Sequence, residues 1–311
     1  MLSIITVTYN STYYVINLLK SIQNDFENLP TSFEIIIVDN NSSDNTIELI
    51  EKFIQQNSDL SIKLIKSPDN LGFGKGNNLA IQNVSPKSKN ILLLNPDIEV
   101  KAFAIKNLLD AANDSKESIV LVPQLYYPNM QAHTNTYRFP SMLNQFLSHI
   151  NFGFLDSIFN KQLLSIPPQL NNHQFDWCSG AAFLIRTQAF KKHCFDPEFF
   201  LYFEELDLFK RFFEEKFKLE FVPKSKMIHT KGHSTGVSNL KVKRKPYYWF
   251  FSRRYYFIKN HNYLYFVIVT LISTLASFVY RLHRKIRFKS HNLPDYYEWD
   301  LLKSTLKVPK P

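Results

Sequence analysis

Glu34-Ile35-Ile36-Ile37-Val38, followed at once by Asp39-Asn40-Asn41-Ser42-Ser43-Asp44, is the stretch that decides the fold. The run is apolar throughout, as a strand covered on both faces should be. The polar turn after it ends in residues suited to start a helix, and Thr46–Gln56 follows with helical spacing. Working outward, Ser3–Thr8 is a second short β-branched run, and Tyr13–Gln23 has Val15, Ile16, Leu18, Leu19 and Ile22 at helical spacing. Ser61–Lys66 reads as a strand, Asn77–Val84 as a helix, and Asn90–Leu94 as a strand stopped by Asn95-Pro96-Asp97. Alternating strand and helix with short connections predicts an α/β fold, a Rossmann-like, mostly parallel sheet flanked by helices. Ligands in such sheets sit beyond the carboxyl ends of the strands. The turns at 8–12, 39–44 and 95–97 should therefore converge on one crevice.

The second half is less regular. Lys101–Ala112 predicts a helix and Ile119–Pro123 a strand, while Gln131–Pro168 has no clean period. Trp177–Arg186 reads as one strand that begins with small residues, Glu204–Lys216 as a helix with an acidic start, and Lys218–Val222 as a strand. Lys224–Leu240 reads as a polar loop and Tyr247–Asn260 as an aromatic, basic helix. Tyr263–Tyr280 is an uncharged run of 18 residues, close to the roughly 20 that cross a bilayer. Arg253, Arg254 and Lys259 precede it; Arg281, Arg284, Lys285, Arg287 and Lys289 follow. Cations on both sides fit a helix lying in the membrane interface or a re-entrant hairpin better than a single span. A buried helix reads the same run without a membrane.

Charge is unevenly placed along the 311 residues. Residues 1–223 hold 19 Lys/Arg against 24 Asp/Glu, a net −5, whereas 224–294 hold 15 Lys/Arg and no acid. Such a block seeks phosphate, on nucleic acid or on an anionic membrane. The uncharged run inside it speaks against nucleic acid. With 45% hydrophobic and 21% charged residues the chain is a folded globular protein. Its 2 cysteines exclude a disulfide scaffold and a four-thiolate zinc site. No basic, apolar leader opens the sequence, and Asn10-Ser11-Thr12 and Asn41-Ser42-Ser43, glycan acceptors in a secretory lumen, lie at the expected crevice. The expectation is a catalytic face in the cytoplasm.

Five groups of residues carry candidate chemistry. Asp39 could accept the imide N–H of a nucleotide base, or simply close its turn. Asp97, a lone carboxylate at a rigid turn, suits Mg²⁺ or Mn²⁺ shared with a diphosphate. Asn70-Leu71-Gly72-Phe73-Gly74-Lys75-Gly76-Asn77-Asn78 holds 3 of the 7 glycines and fits neither a Walker loop nor G-x-G-x-x-G. Close approach of backbone to a sugar or phosphate would explain it. Phe203-Glu204-Glu205-Leu206-Asp207 sets three carboxylates in an aromatic stretch, where at least one pKa should rise and a general base could sit. A helix start favoured by its dipole reads the same trio. His229 and His233 follow a strand and could meet a metal or phosphate.

In order along the chain, V-T-Y-N (7–10), V-D-N-N-S-S-D (38–44), N-x-G-F-G-x-G-N-N (70–78), L-L-L-N-P-D (92–97), D-W-C-S-G-A-A-F-L-I-R (176–186), F-D-P-E-F-F-L-Y-F-E-E-L-D-L (195–208) and M-I-H-T-K-G-H-S (227–234) resemble glycosyltransferase family 2, nearest to its rhamnosyltransferase-like branch in bacterial polysaccharide assembly. The resemblance covers roughly residues 1–260. It implies a GT-A domain over 1–240, with a nucleotide-binding half (1–100) and an acceptor half (101–240), and leaves 241–311 as a helical, membrane-associating extension. It implies an inverting transfer from a nucleotide-diphosphate sugar to a lipid-linked or growing glycan, with Mg²⁺ or Mn²⁺. Asp39 would meet the base, among donor contacts at Thr8, Tyr9, Asn10, Asn41, Gly72, Phe73, Asn78 and Asn95. Asp97 and His229 would hold the metal, with Asn95 in place of the first Asp of the D-x-D motif. The family pattern F-E-D reads F-E-E here, so Glu205 takes the base position and Glu204 and Asp207 stay as rivals.

Two other classes compete. A non-catalytic nucleotide-sugar or glycan binder would not need the acidic trio and Asp97 together. A nucleotidyltransferase would need cations near its first loop, and residues 1–12 have none. The oligomeric state is left open.

Overall fold

The structure is a computed structural model of the chain and describes residues 1–29, 32–150, 164–166, 174–230, 244–288, 291 and 293–306. In the first half, β1 (Leu2–Thr8), α1 (Thr12–Asn24), β2 (Phe33–Asp39), α2 (Thr46–Gln56), β3 (Ile62–Lys66), α3 (Gly72–Gln82) and β4 (Asn90–Leu94) alternate as expected. Then come β5 (Ile98–Val100), α4 (Ala104–Asp114), β6 (Ser118–Tyr126), β7 (Ala132–His133), β8 (Thr136–Tyr137) and α5 (Met142–Ile150). The site half continues with β9 (Trp177–Cys178), β10 (Ala182–Arg186), α6 (Thr187–Lys192), α7 (Glu204–Glu214) and β11 (Lys218–His229). Three helices close the chain: α8 (Tyr247–Asn260), α9 (Tyr263–Ile286) and α10 (Tyr297–Ser304).

Among the described residues the main sheet runs β3-β2-β1-β4-β10-β6-β11-β5, with β7 beside β6. β1 to β4 are parallel, and β10 enters antiparallel between β4 and β6. Alternation along each strand feeds two cores. Ile4, Ile37, Leu92 and Leu184 face one side with α1, α2 and α4; Ile5, Ile36, Leu93 and Phe183 face the other with α3, α6 and α7. That is why these strands carry no polar face. The chain winds outward from β1 to β3 and then jumps back to β4 on the other side of β1, so the crevice opens at that reversal.

Four expectations change. The glycine segment is not a loop before a helix: α3 begins at Gly72 and contains Gly74 and Gly76. Trp177–Arg186 is two strands, since β9 pairs with β8 in a small second sheet and only β10 joins the main one. Lys224–His229 is not loop, because β11 passes Pro223 by a register shift between Val222 and Lys226 and runs on to His229. Finally, 263–280 is not a hairpin but part of the uninterrupted helix α9. Residues 231–240 of the expected polar loop, with His233, lie outside the described residues, as do parts of 131–168 and Lys289.

The last helices share a core with the segment that leads into α7. Tyr256 and Phe257 of α8 and Phe266 and Val269 of α9 pack with Phe199 and Leu206. Much of the basic block is also used internally. Lys259 binds Asp196 and Asp207, Arg244 binds Asp300, and Arg281 binds Glu298. One face of α9 is buried through Thr270, Ser273, Ala276 and Tyr280. Its other face leaves Leu264, Ile268, Leu271, Leu275, Phe278, Leu282 and Ile286 exposed by 37–68%.

Candidate active site

Three strand ends and the start of α3 make the first cavity, of about 130 Å³, lined by Thr8, Tyr9, Asn40, Gly72, Phe73 and Asn95 among others. Its turns are tied together. The Asn10 backbone N–H donates to Ser42 Oγ at 2.9 Å, and Asn10 Oδ1 accepts from the Ser43 N–H at 2.8 Å. Both Asn10 (φ 47°) and Asn41 (φ 64°) take the left-handed conformation, which Asn tolerates better than most residues. Asp39 is fully buried. Its Oδ2 accepts from the Ser42 N–H at 2.9 Å, while Oδ1 has no hydrogen bond among the described residues. Thr8 Oγ1 is buried in the same condition. Buried polar atoms left this way mark places where a ligand can complete the bonding.

The glycines have steric reasons. A Cβ on Gly72 (φ +76°) would lie 2.0 Å from the Phe200 carbonyl oxygen, which already accepts from the Phe73 N–H. Asn40, unremarked in the sequence, donates from Nδ2 to the Gly72 oxygen at 2.9 Å. Gly76 lets α3 close on Val7 and Asn40. Gly72→Ala should therefore lower the unfolding free energy, read as a fall in the urea midpoint at unchanged m, by about 1–3 kcal/mol from backbone strain alone and more from the clash. An unchanged midpoint would mean that this turn is not pinned. Asn78 is a frame residue: its side-chain amide exchanges hydrogen bonds with the Phe195 backbone at 2.8 and 2.9 Å, so it points away from the crevice expected for it.

Beside β4, the antiparallel β5–β11 pair sets Ile98 opposite His229 and so brings His229 to Asp97. Nε2 lies 3.3 Å from Asp97 Oδ1. Asp97 Oδ1 and His229 Nδ1 are both buried without a hydrogen bond among the described residues. His133 stands edge-on to His229, ring centroids 5.7 Å apart. No group of three His, Cys, Asp or Glu side chains able to hold a metal occurs among the described residues. A magnesium-like ion that keeps waters and diphosphate oxygens needs no more than one or two protein ligands, so this pair fits one.

The acidic trio separates into three environments. Tyr202 (φ 69°) and Phe203 (φ 68°) are both left-handed, a costly conformation for aromatic residues, and they start α7 abruptly at Glu204. Glu204 is buried, its Oε2 has no hydrogen bond among the described residues, and burial together with Glu205 pushes its pKa well up. Asp207 is buried too, but Lys259 at 2.8 Å, Arg211 at 3.1 Å and Asn260 enclose its carboxylate. Asp207 thus has the geometry of a pin between α7 and α8 rather than of the rival base expected from sequence. Lys259, which the sequence placed among membrane cations, is its partner, 52 residues away.

Glu205 borders a second cavity, of about 280 Å³, with Trp177, Tyr202, Phe203, Trp249, Arg253 and others. Burial raises its pKa, and the backbone N–H groups of Glu205 and Gly180 partly offset this. Gly180 touches a residue of each lining: its N–H donates to Glu205, and a Cβ there would lie 2.9 Å from the Phe73 ring that walls the first cavity.

Comparison with known proteins agrees with this layout. Residues 3–194 match the family profile described as Glycosyl transferase family 2. The chain is 24% identical over 274 residues to an N-acetylglucosaminyl-diphospho-decaprenol L-rhamnosyltransferase of Mycobacterium tuberculosis, covering 82% of this chain and 85% of that protein. It is 26% identical over 239 residues to rhamnosyltransferase WbbL of Escherichia coli K12, covering 75% and 84%. Its fold resembles that of a Pyrobaculum calidifontis mannosyltransferase solved with GDP-Man and Mn²⁺, with TM-score 0.54 at 11% identity over 97% of this chain and 78% of that one. The fold is thus GT-A-like, and the chain belongs to glycosyl transferase family 2, the nucleotide-sugar-dependent glycosyltransferases.

Proposed function

We propose that this chain is an inverting rhamnosyltransferase acting on a lipid-linked or growing cell-surface glycan at the inner face of the cytoplasmic membrane. The observation that carries this reading is the placing of unsatisfied buried polar atoms at the first cavity and Glu205 at the second, with Gly180 in contact with Phe73 of one lining and Glu205 of the other. The activities named for the two relatives support rhamnose, and the diphospho-decaprenol acceptor of the first supports a lipid-linked substrate.

The donor lies in the first cavity, its base toward Asp39 Oδ1. Asp39 is fully covered, so the turns at 9–10 and 41–42 part to admit the base. Asp97 and His229 would hold Mg²⁺ or Mn²⁺, which supplies neutralisation of negative charge on a departing diphosphate. In the second cavity Glu205 takes the proton of the acceptor hydroxyl. The acceptor oxygen bonds to the anomeric carbon as the bond from that carbon to the diphosphate oxygen breaks, and the nucleoside diphosphate leaves with the electron pair. Attack from the face opposite the leaving group inverts the centre. Glu204, pushed toward its protonated form by burial and by Glu205, and Asp207, held by Lys259, keep α7 in place.

The test is incubation with a panel of nucleotide-diphosphate sugars and a diphosphate-linked N-acetylglucosamine lipid, with and without Mn²⁺, read by mass spectrometry. One added deoxyhexose, dependent on the cation, is expected. Donor binding without any transfer would favour a non-catalytic binder.

The exposed face of α9, with Lys285 and Arg287 exposed at its end, rests on the membrane. Each such cation near an anionic surface contributes about 1 kcal/mol, and the apolar stripe adds a part that salt does not screen. Full-length protein should float with phosphatidylglycerol vesicles in high salt, and the double change Leu271→Asp, Leu275→Asp should leave it at the bottom of the gradient. If the variant still floats, the stripe is not the contact. Truncation at 240 is a poor test, because it uncovers Phe199 and Leu206 and removes Lys259 from Asp207.

A further inference from the structure

Among the described residues, Arg253 is the one member of the basic block that is at once fully buried and on the wall of a cavity: it is 2% exposed and lines the 280 Å³ space that Glu205 borders. No carboxylate among the described residues lies within ion-pair distance of it. Its recorded contacts are Thr270 Oγ1 at 2.7 Å, Ser273 Oγ at 3.5 Å and the faces of Phe257 and Phe266. Burial lowers its pKa to about 10, still charged at neutral pH. A guanidinium has five N–H donors in a planar fork, and these two hydroxyls leave most of them unused. An uncompensated buried charge is costly to keep, and methionine or leucine would fill the space between Phe257 and Phe266 at lower cost. The remaining wall groups near it are neutral: Trp249 one helical turn away, Tyr297 and Gln145. Glu205 is the acidic group on this cavity, and no ion pair joins the two.

The geometry points to Arg253 as a phosphate-binding residue of the acceptor site, holding a diphosphate that follows the sugar whose hydroxyl meets Glu205. This rests on the transferase reading above and adds to it the recognition of the acceptor's anionic part. The placement agrees with a lipid carrier. Thr270 and Ser273, which hold Arg253, stand on the buried face of α9, and the exposed leucine stripe stands on the opposite face of the same helix. A diphosphate at Arg253 would therefore sit one helix diameter from the surface proposed to meet lipid. A fork of N–H donors matches phosphate oxygens better than a point charge does.

Full-length Arg253→Met and Arg253→Lys are compared with wild type in three measurements: thermal midpoint, calorimetric binding of inorganic pyrophosphate with the donor site saturated by UDP, and KM for N-acetylglucosamine linked through diphosphate to a lipid against KM for an alkyl glycoside without phosphate. Arg253→Met is expected to keep or raise the midpoint, to lose pyrophosphate binding, and to raise KM for the diphosphate acceptor about 10–100-fold with little change for the alkyl glycoside. Arg253→Lys should fall between, and it decides the matter if Arg253→Met does not fold. UDP affinity should stay the same; an equal fall in UDP affinity would assign the residue to the donor diphosphate and overturn the proposal. A lowered midpoint with the acceptor preference intact would show a structural role and also overturn it. Should wild type transfer to neither acceptor, the transferase reading fails, while the pyrophosphate titration still decides the site.

Discussion

Glu205→Gln is expected to reduce transfer about 10²–10⁴-fold, the usual cost of losing a general base, with UDP affinity unchanged. The substitution is nearly isosteric, and Glu205 lines the second cavity rather than the donor crevice. The pH profile carries a second signature. Burial raises the Glu205 pKa, so its proton-accepting form is lost as pH falls through a value above the ordinary carboxylate range of about 4.3. Wild-type rate should rise with pH through that raised value and then level, and the variant's residual rate should lack that limb. Glu204→Gln is the contrast. Glu204 is pushed toward its protonated form by burial and by Glu205, and a neutral amide is the close mimic of that form. Its transfer should stay within a few-fold of wild type. A raised folded pKa means that the wild type loses stability as pH rises from the unfolded value through the folded one, so Glu204→Gln should gain relative thermal stability over that window. If Glu204→Gln is dead and Glu205→Gln active, the roles are exchanged.

Asp97→Ala should remove at least about 10²-fold of activity and flatten the response to Mn²⁺, because it deletes the one carboxylate at the β4 turn that has a free, buried oxygen. The fold should persist. The β5–β11 ladder is backbone, and the Thr230 N–H donates to the Asp97 carbonyl, which alanine keeps. Initial rates over a Mn²⁺ titration, with a thermal midpoint as control, make the measurement. Near-full activity with unchanged cation dependence would remove Asp97 from the site.

What was legible in the sequence follows from how locally each feature is determined. Asn90–Leu94, Thr46–Gln56 and Tyr247–Asn260 end where the sequence reading ends them, because strands covered on both faces and helices with clean starts declare themselves within a few residues. The motif order was enough for the family. The α3 start was hidden because three glycines disfavour a helix locally; contacts with Phe200, Phe195 and Val7 outweigh that propensity. Trp177–Arg186 looked like one strand because nothing local shows that Ser179-Gly180-Ala181 carries the chain between sheets. The acidic trio could not be ranked, since Lys259 reaches Asp207 from a distant helix and Glu205 meets Gly180 in the link between β9 and β10. Arg253 was masked by its neighbours: one buried arginine reads like the exposed cations around it, and only its i, i+4 spacing from Trp249 and Phe257 hinted at an inward face.

The central claim is a single displacement at the anomeric carbon, with the leaving diphosphate on one side and Glu205 on the other. The anomeric configuration of the transferred sugar, read by proton–carbon coupling in the NMR spectrum of the isolated product and compared with that of the donor, tests it most directly. Inversion in every product molecule is the predicted result. Retention would require two displacements through a covalent or ion-pair intermediate and would contradict the role given to Glu205.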